Sequence, residues 1–291
     1  MAKQRTLWYC TSCGNESSKW MGQCPACKEW NTMVEAPVKS QSAKTSLRSA
    51  TTAHNPVLLK DIKSDQEPRK SLGNSELDRL LGGGIVPGSL VLIGGEPGIG
   101  KSTLSLQIPL YSKGLKTLYV TGEESEKQVK IRAERIGGDD SLCSIYAETR
   151  MDDILEKAVE FAPELMIVDS VQTMYCDNVE SSAGSVSQIK EVASRLLRFS
   201  KENGIPVILI GHITKDGFIA GPKILEHIVD VVLQFEGDNK GAYRIMRSIK
   251  NRFGSTSEIA VFEMTGSGLR EVANPSEMLI PMHEQGLSGT A

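Results

Sequence analysis

The feature that most restricts the fold of this chain is the octapeptide Gly-Glu-Pro-Gly-Ile-Gly-Lys-Ser at residues 95–102. It follows the apolar run Leu-Val-Leu-Ile at 90–93 and precedes a helix-like segment. A glycine loop between a strand and a helix lets successive backbone N–H groups point at phosphate oxygens, and the helix N-terminus adds partial positive charge. The complete pattern predicts a phosphate-binding loop for ATP and disfavours an ordinary glycine turn.

Each part of this loop has its own expected role. Lys101 is placed to reach the β- and γ-phosphates, the Ser102 hydroxyl is the expected Mg²⁺ ligand, and Thr103 closes the first helical turn. Asp169 follows the apolar run at 165–168 and can supply the carboxylate that a Mg²⁺–ATP site needs. The predicted nucleotide-binding set is Gly95, Glu96, Pro97, Gly98, Ile99, Gly100, Lys101, Ser102, Thr103 and Asp169.

A carboxylate that acts on the attacking water must come from another strand, because Ser170 and not a second acid follows Asp169. Glu123 and Glu124 come directly after the strand-like run at 118–121. Parallel neighbours place their carboxyl ends at the same edge of a sheet, so these acids can meet the loop there. We predict Glu123 as the catalytic base, with Lys101 as its catalytic partner. The alternative is a pair of solvated acids at the start of the next helix.

Apolar runs alternate with helix-like segments from about residue 61 to 265, which predicts an α/β fold with a mainly parallel sheet flanked by helices. The chain has 291 residues and is 40% hydrophobic, enough for a packed core. Three later runs with short connections predict antiparallel strands that finish the sheet. The predicted parallel strands are 90–94, 117–121, 164–169 and 206–211, the helices 151–161 and 184–203, and the antiparallel strands 229–235, 243–248 and 259–263.

Charge and hydropathy exclude few functions. The formal net charge is −3 and the pI about 5.9, so a nucleic-acid surface would have to be a local patch. The sequence has no apolar stretch of about 18 residues and no signal peptide at its start, which predicts a cytoplasmic location.

Two Cys-x-x-Cys pairs, Cys10/Cys13 and Cys24/Cys27, supply four thiolates within the first thirty residues. This spacing predicts a closed tetrahedral Zn²⁺ site with a structural role, and disfavours a redox pair. All three tryptophans lie in the same region, either as a partner surface or as cover for the metal. The predicted domains are a zinc module at 1–35, a flexible basic linker at 36–60, an ATPase domain at 61–270 and a tail at 271–291.

With these motifs in view, the sequence resembles the bacterial RadA (Sms) family of DNA-recombination and repair ATPases. The resemblance rests on the zinc module, the loop at 95–102, Thr-Gly-Glu-Glu-Ser at 121–125, Leu-Glu-His-Ile-Val-Asp at 225–230 and above all Lys-Asn-Arg-Phe-Gly at 250–254. It implies a RecA-like ATPase core that forms hexameric rings on single-stranded DNA and drives branch migration of recombination intermediates.

The resemblance also implies roles for single residues. Lys250 and Arg252 would reach the γ-phosphate of a neighbouring subunit as catalytic cations, whereas the residues alone are also compatible with surface charges. Glu123 matches the catalytic glutamate, and 212–214 would sense the nucleotide. Lys215, Lys223 and the loop at 176–186 would face the DNA channel.

Members of the family generally continue into a C-terminal domain like that of Lon protease, and this chain is expected to lack it. Two rivals to a DNA motor stay open. One is a RecA-like switch that acts on protein partners, such as a recombinase or replication protein held by the zinc module, without moving along DNA. The other is a non-enzymatic module that holds ATP.

Overall fold

The computed structural model describes residues 7–10, 16–17, 19–36, 58–61, 69–212, 225–237 and 241–272. The chain divides into two compact units, residues 1–67 and 68–291. Among the described helices, none is both long and apolar enough to cross a bilayer. The predicted domain boundaries, including the linker at 36–60 and the tail at 271–291, fall largely outside the described residues and stay predictions.

The first unit contains a small antiparallel sheet of β1 Leu7–Cys10, β2 Glu16–Ser17 and β3 Met33–Ala36, in the order β2-β1-β3. Cys10, Cys24 and Met33 are its buried residues, with Trp8 packed against them. So small an apolar core supplies little stability without a metal or another cross-link. A 3₁₀ turn covers Leu59–Asp61.

The second unit is built on a nine-stranded sheet in the order β12-β11-β10-β9-β4-β8-β7-β5-β6. Strands β9, β4, β8, β7, β5 and β6 pair in parallel with their neighbours in this set. Strands β9, β10, β11 and β12 pair antiparallel. The strands are β4 Leu90–Gly95, β5 Thr117–Thr121, β6 Cys143–Ala147, β7 Leu165–Asp169, β8 Val207–His212, β9 Val231–Glu236, β10 Tyr243–Asn251, β11 Ile259–Thr265 and β12 Gly268–Glu271. The helices are α1 Ser75–Leu80, α2 Lys101–Tyr111, α3 Glu126–Ile136, α4 Met151–Phe161 and α5 Val186–Asn203.

The central strands are covered on both faces. Val91 and Ile93 of β4 pack into one apolar cluster, and Leu90 and Leu92 pack into the other. Alternate side chains of a strand point to opposite faces, so two covered faces require an unbroken apolar run. This explains why β4, β5, β7 and β8 were readable from the sequence.

The run at 229–235 was predicted as an antiparallel strand, and this is wrong in part. β9 pairs antiparallel with β10 but in parallel with β4, with Val91 opposite Val231. Periodicity reveals a strand but not its partner, and here the partner lies far away in the sequence. Because β9 joins the parallel set, its end also lies at the edge of the sheet where the glycine loop begins.

Candidate active site and metal centre

The glycine loop lies where predicted, between the end of β4 and the start of α2. Gly100 precedes the helix with φ of 114°, in the left-handed region, and a Cβ there would lie 2.9 Å from Cε of Met264. The backbone angle therefore favours glycine, whereas the flexible end of Met264 could move aside. The first turn of α2 has no acidic residue, so the positive end of the helix dipole is available to an anion.

Lys101 is almost fully buried at the start of α2, with 3% of its surface exposed. Its Nζ donates to the carbonyl oxygens of Gly95 and Glu96, both at 2.9 Å. Burial lowers the pKa of Lys101 to about 8, and the charges of Asp169 and Glu123 oppose this shift. A phosphate at the loop would add a further negative charge, which favours the protonated lysine.

Asp169 ends β7 and is 4% exposed. Its Oδ2 accepts a hydrogen bond from the Tyr119 hydroxyl at 2.7 Å, whereas its buried Oδ1 has no hydrogen-bond partner in the described structure. A buried carboxylate oxygen without a partner is costly unless a cation compensates it. Hard carboxylate and hydroxyl oxygens suit Mg²⁺, so Asp169 and the half-buried Ser102 fit a magnesium site.

Glu123 follows β5 and points toward the residues that end β7 and β8. Its Oε1 accepts a hydrogen bond from the Ser170 hydroxyl and lies 3.0 Å from Nε2 of His212. The hydrogen bond with His212, then that with Ser170 and the charge of Lys101, lower the pKa of Glu123 to about 2 against the opposing effect of burial. Glu123 is therefore ionised at neutral pH.

The neighbouring acid, Glu124, is engaged elsewhere, in an ion pair with Arg132. Gly122 precedes the two acids, and a Cβ at this position would lie 2.3 Å from Oγ1 of Thr173. Of the two candidates, the structure thus brings Glu123 and not Glu124 to Lys101, His212 and Ser170.

His212 is the last residue of β8 and lies opposite Gly95 in the register of β4 and β8. Its carbonyl accepts from Nε2 of Gln172 at 3.3 Å, and its buried Nδ1 has no hydrogen-bond partner within the described ranges. Thr214, Lys215 and Lys223 lie outside those ranges. Tyr119 and Ser170 were missed by sequence reasoning, because a tyrosine in an apolar strand and a serine in a turn carry no motif.

Lys250 and Arg252 lie at the opposite edge of the sheet from the glycine loop. Lys250 pairs with Val232 near the start of β9, and the start of β9 lies beside Val91 near the start of β4. The Lys250 Nζ donates to the carbonyls of Glu226 and Val229. The chain therefore does not bring these two cations to its own loop.

Asn251 and Phe253 fix the conformation of the segment at 250–254. The Asn251 side chain donates to the carbonyl of Leu80 at 3.2 Å and accepts from the N–H of Phe253 at 2.8 Å. Arg69 joins the carbonyls of Leu81 and Phe253 through its two terminal nitrogens, at 2.5 and 2.6 Å. Asn251 and Phe253 thus shape the turn that presents Lys250 and Arg252.

In the first unit, the sulfur atoms of Cys10, Cys24 and Cys27 all lie within 4.8 Å of one another, and those of Cys10 and Cys27 are 3.6 Å apart. Cys13, the fourth predicted ligand, lies outside the described residues. The backbone folds tightly here, with the N–H of Lys28 bonded to the carbonyl of Cys24 at 2.9 Å. Three clustered thiols form a metal site of the kind that suits soft cations.

The tryptophans of this unit do not share one role. Trp8 packs against the buried cluster, whereas Trp20 and Trp30 are 57% and 69% exposed. The two exposed rings both lie within 4 Å of the position that a Cβ on Gly22 would occupy. They therefore do not form the core of the module.

Each of the two units matches a known protein family. Residues 8–35 match a family described as a rubredoxin metal-binding domain, and residues 71–144 match the KaiC ATPase family. The chain is 49% identical to the DNA repair protein RadA of Halalkalibacterium halodurans over 294 aligned residues, which cover 100% of this chain and 64% of that protein. Over its whole length, the chain is similar to proteins of the RadA family. The RadA of Bacillus subtilis is 46% identical, again over 100% of this chain and 65% of that protein.

Solved structures support the same fold. The RadB recombinase superposes with a TM-score of 0.54 at 26% identity, covering 69% of this chain and 99% of that one. A KaiC-like protein from Pyrococcus horikoshii gives a TM-score of 0.58 at 22% identity over 70% of this chain and 99% of that one, which supports the fold alone. The chain thus has the predicted RecA-like α/β core with an N-terminal zinc-ribbon-like module. It spans about two thirds, 64%, of the length of the curated relatives.

Proposed function

We propose that this chain hydrolyses Mg²⁺–ATP and uses the energy to move on single-stranded DNA during recombination and repair. The observation that carries the ATPase proposal is the convergence of Lys101, Glu123 and Asp169, with its unpaired Oδ1, at one edge of the sheet. The loop at 95–103 would bind the phosphates, and Ser102 and Asp169 would hold Mg²⁺. Bound Mg²⁺ would neutralise charge on the β- and γ-phosphates.

Glu123 would orient the attacking water. A carboxylate with a pKa of about 2 is a weak proton acceptor, so its main contribution is position and negative charge rather than early removal of a proton. This suits phosphoryl transfer, in which the transition state is loose and catalysis depends mostly on positioning and electrostatics. His212 and Ser170 hold the carboxylate in place.

Lys250 and Arg252 would complete the site of the next subunit. Their position at the edge opposite the loop makes them unable to serve their own chain, but suits head-to-tail contacts, which close into a ring. Each nucleotide would then lie between one subunit's loop and another subunit's cations. The hexameric ring is proposed from the family resemblance.

Action on DNA is supported by the names of the relatives, a DNA repair protein and a recombinase. One contact supports coupling between hydrolysis and DNA. His212 contacts Glu123, and Lys215 and Lys223, which come later in the sequence, would bind phosphates of single-stranded DNA. Branch migration and helicase activity are proposed on the same basis.

The DNA proposal predicts that single-stranded DNA raises the steady-state ATPase rate severalfold, with a gain that shrinks as salt increases. Lys215→Ala should lose the stimulation and keep the basal rate, whereas the matched variant Lys190→Ala should keep both. A rate indifferent to DNA would favour the rival switch that acts on protein partners. The mass of the assembly, measured in the same samples, tests the ring.

The metal centre is proposed to hold one structural Zn²⁺ on Cys10, Cys13, Cys24 and Cys27. Elemental analysis should find one Zn²⁺ per chain in the purified protein, and substoichiometric Zn²⁺ in Cys24→Ser, because a structural site with three thiolates binds the metal much more weakly. Cys143→Ser serves as the matched control and should keep its zinc. Equal zinc in both variants would contradict the assignment.

A further inference from the structure

A buried carboxylate lies at the base of the two cations assigned to the neighbouring site. Asp230 is 1% exposed and immediately precedes β9. Its N–H donates to the carbonyl of Leu90 at 2.9 Å, and its Oδ2 accepts from the N–H of Leu90 at 3.1 Å. Asp230 is thus fixed to the first residue of the strand that ends in the nucleotide loop.

Two cations share this carboxylate, one on each oxygen. The Lys201 Nζ, from the last turn of α5, lies 2.9 Å from Oδ2, and the Arg252 Nη1 lies 3.2 Å from Oδ1. The carboxylate side chain is 2% exposed, while those of Lys201 and Arg252 are 48% and 54% exposed. A buried carboxylate that loses its only counter-ion is strongly destabilised. With two counter-ions present, one of them can move away.

The guanidinium of Arg252 has donors that Asp230 does not use. It has five N–H donors, and within the described structure its side chain makes one hydrogen bond, to Asp230. Lys250 differs, since its Nζ donates to two backbone carbonyls, those of Glu226 and Val229. Arg252 is therefore held at one nitrogen and keeps its remaining donors for another acceptor.

We propose that Asp230 is a positioning residue that holds Arg252 toward the next subunit, and that Lys201 keeps the buried carboxylate paired when the guanidinium turns to that subunit's γ-phosphate. The inference rests on the proposed function, because it requires a nucleotide site shared between chains. Neither Asp230 nor Lys201 touches the nucleotide. Both act through Arg252.

Asp230→Asn tests this role, because the amide can still accept from the N–H of Leu90 but carries no charge. We expect turnover to fall by about ten- to a hundredfold, as for a misplaced catalytic group, with ATP affinity unchanged. In an Arg252→Ala background the same substitution should cause no further loss. A further loss in that background would show a general structural effect and overturn the proposal. Asp153→Asn, at an exposed ion pair, is the matched control.

Mixing experiments separate this inference from the proposed function. When Arg252→Ala and Lys101→Ala subunits mix at random in a ring, about a quarter of the interfaces pair an intact loop from one subunit with an intact Arg252 from the next. Asp230→Asn should likewise restore turnover when mixed with Lys101→Ala, but not with Arg252→Ala. Restoration by the pair Asp230→Asn and Arg252→Ala would overturn the inference. If Arg252→Ala and Lys101→Ala subunits did not restore turnover to each other, the shared nucleotide site itself would be refuted.

Lys201→Met gives a second test that does not depend on a buried substitution. Without Lys201, Arg252 is the one cation that remains in an ion pair with Asp230 among the described residues, and it should leave less readily. We expect lower turnover in the single variant and no added loss in the Arg252→Ala background. Wild-type turnover in Lys201→Met would overturn the role of the second cation, and with it the proposal.

Discussion

Replacement of Arg252 with alanine should lower ATP turnover by about a thousandfold or more while leaving ATP affinity nearly unchanged. The reason is geometric. The loop that binds the nucleotide lies at one edge of the sheet, and Arg252 lies at the other, so the variant keeps its own loop intact. What it loses is a positive charge that would stabilise the transition state on a neighbouring subunit.

The chain offers a matched control for this substitution. Arg247 lies on β10, the strand that leads to Arg252, and pairs with Glu236 at 2.8 Å with a comparable exposure of 42%. Arg247→Ala should turn over like the wild type. Steady-state rates at saturating ATP, together with titration of a fluorescent nucleotide, separate the two variants. Equal losses in both, or loss of nucleotide binding in Arg252→Ala, would contradict the proposed role.

Glu123→Gln should bind ATP and hydrolyse it about a hundred to ten thousand times more slowly. Glutamine keeps the size of the side chain and can still accept from Ser170 and His212, but it lacks the charge that orients the water. Single-turnover hydrolysis measures the chemical step directly. Glu124→Gln is the control, because Glu124 is paired with Arg132 and should contribute little to this step.

The pH dependence of Glu123→Gln has a definite sign. The folded-state pKa is lowered from 4.5 to about 2, so the carboxylate is already ionised throughout the neutral range and its loss should cost the same factor at every pH there. Its contribution to stability is present above the unfolded pKa and is lost as the pH falls toward about 2. A deficit that vanished at mildly acidic pH would indicate that another group is the base.

Those parts of the fold and the site that depend on a short, continuous stretch of sequence could be predicted. The loop at 95–102 needs a strand, a turn and a helix in immediate succession, and the structure has all three. The apolar runs of β7 and β8 are nearly unbroken because both faces are covered. Cys10, Cys24 and Cys27 converge because short knuckles close over few residues.

Features that depend on distant partners were not readable. β6, Cys143–Ala147, pairs only at the edge of the parallel set and is half-exposed, so it lacks an apolar run. Tyr119 meets Asp169 because β5 and β7 are neighbours in a given register, which composition does not encode. Glu123 and Glu124 are chemically alike, and they differ in their partners, which are Ser170 and His212 for Glu123 and Arg132 for Glu124.

The placement of the loop and of Arg252 at opposite edges of one sheet has a genetic consequence under the proposed ring. A subunit that lacks Lys101 disables its own nucleotide site, and one that lacks Arg252 disables the site of its neighbour. A single defective subunit therefore inactivates one site in a ring whose other subunits are wild type. Alleles of either kind should be dominant over the wild-type gene when both are expressed. A chain that carries both defects should inactivate two successive nucleotide sites, and should therefore inhibit the wild-type ring more strongly than either single variant.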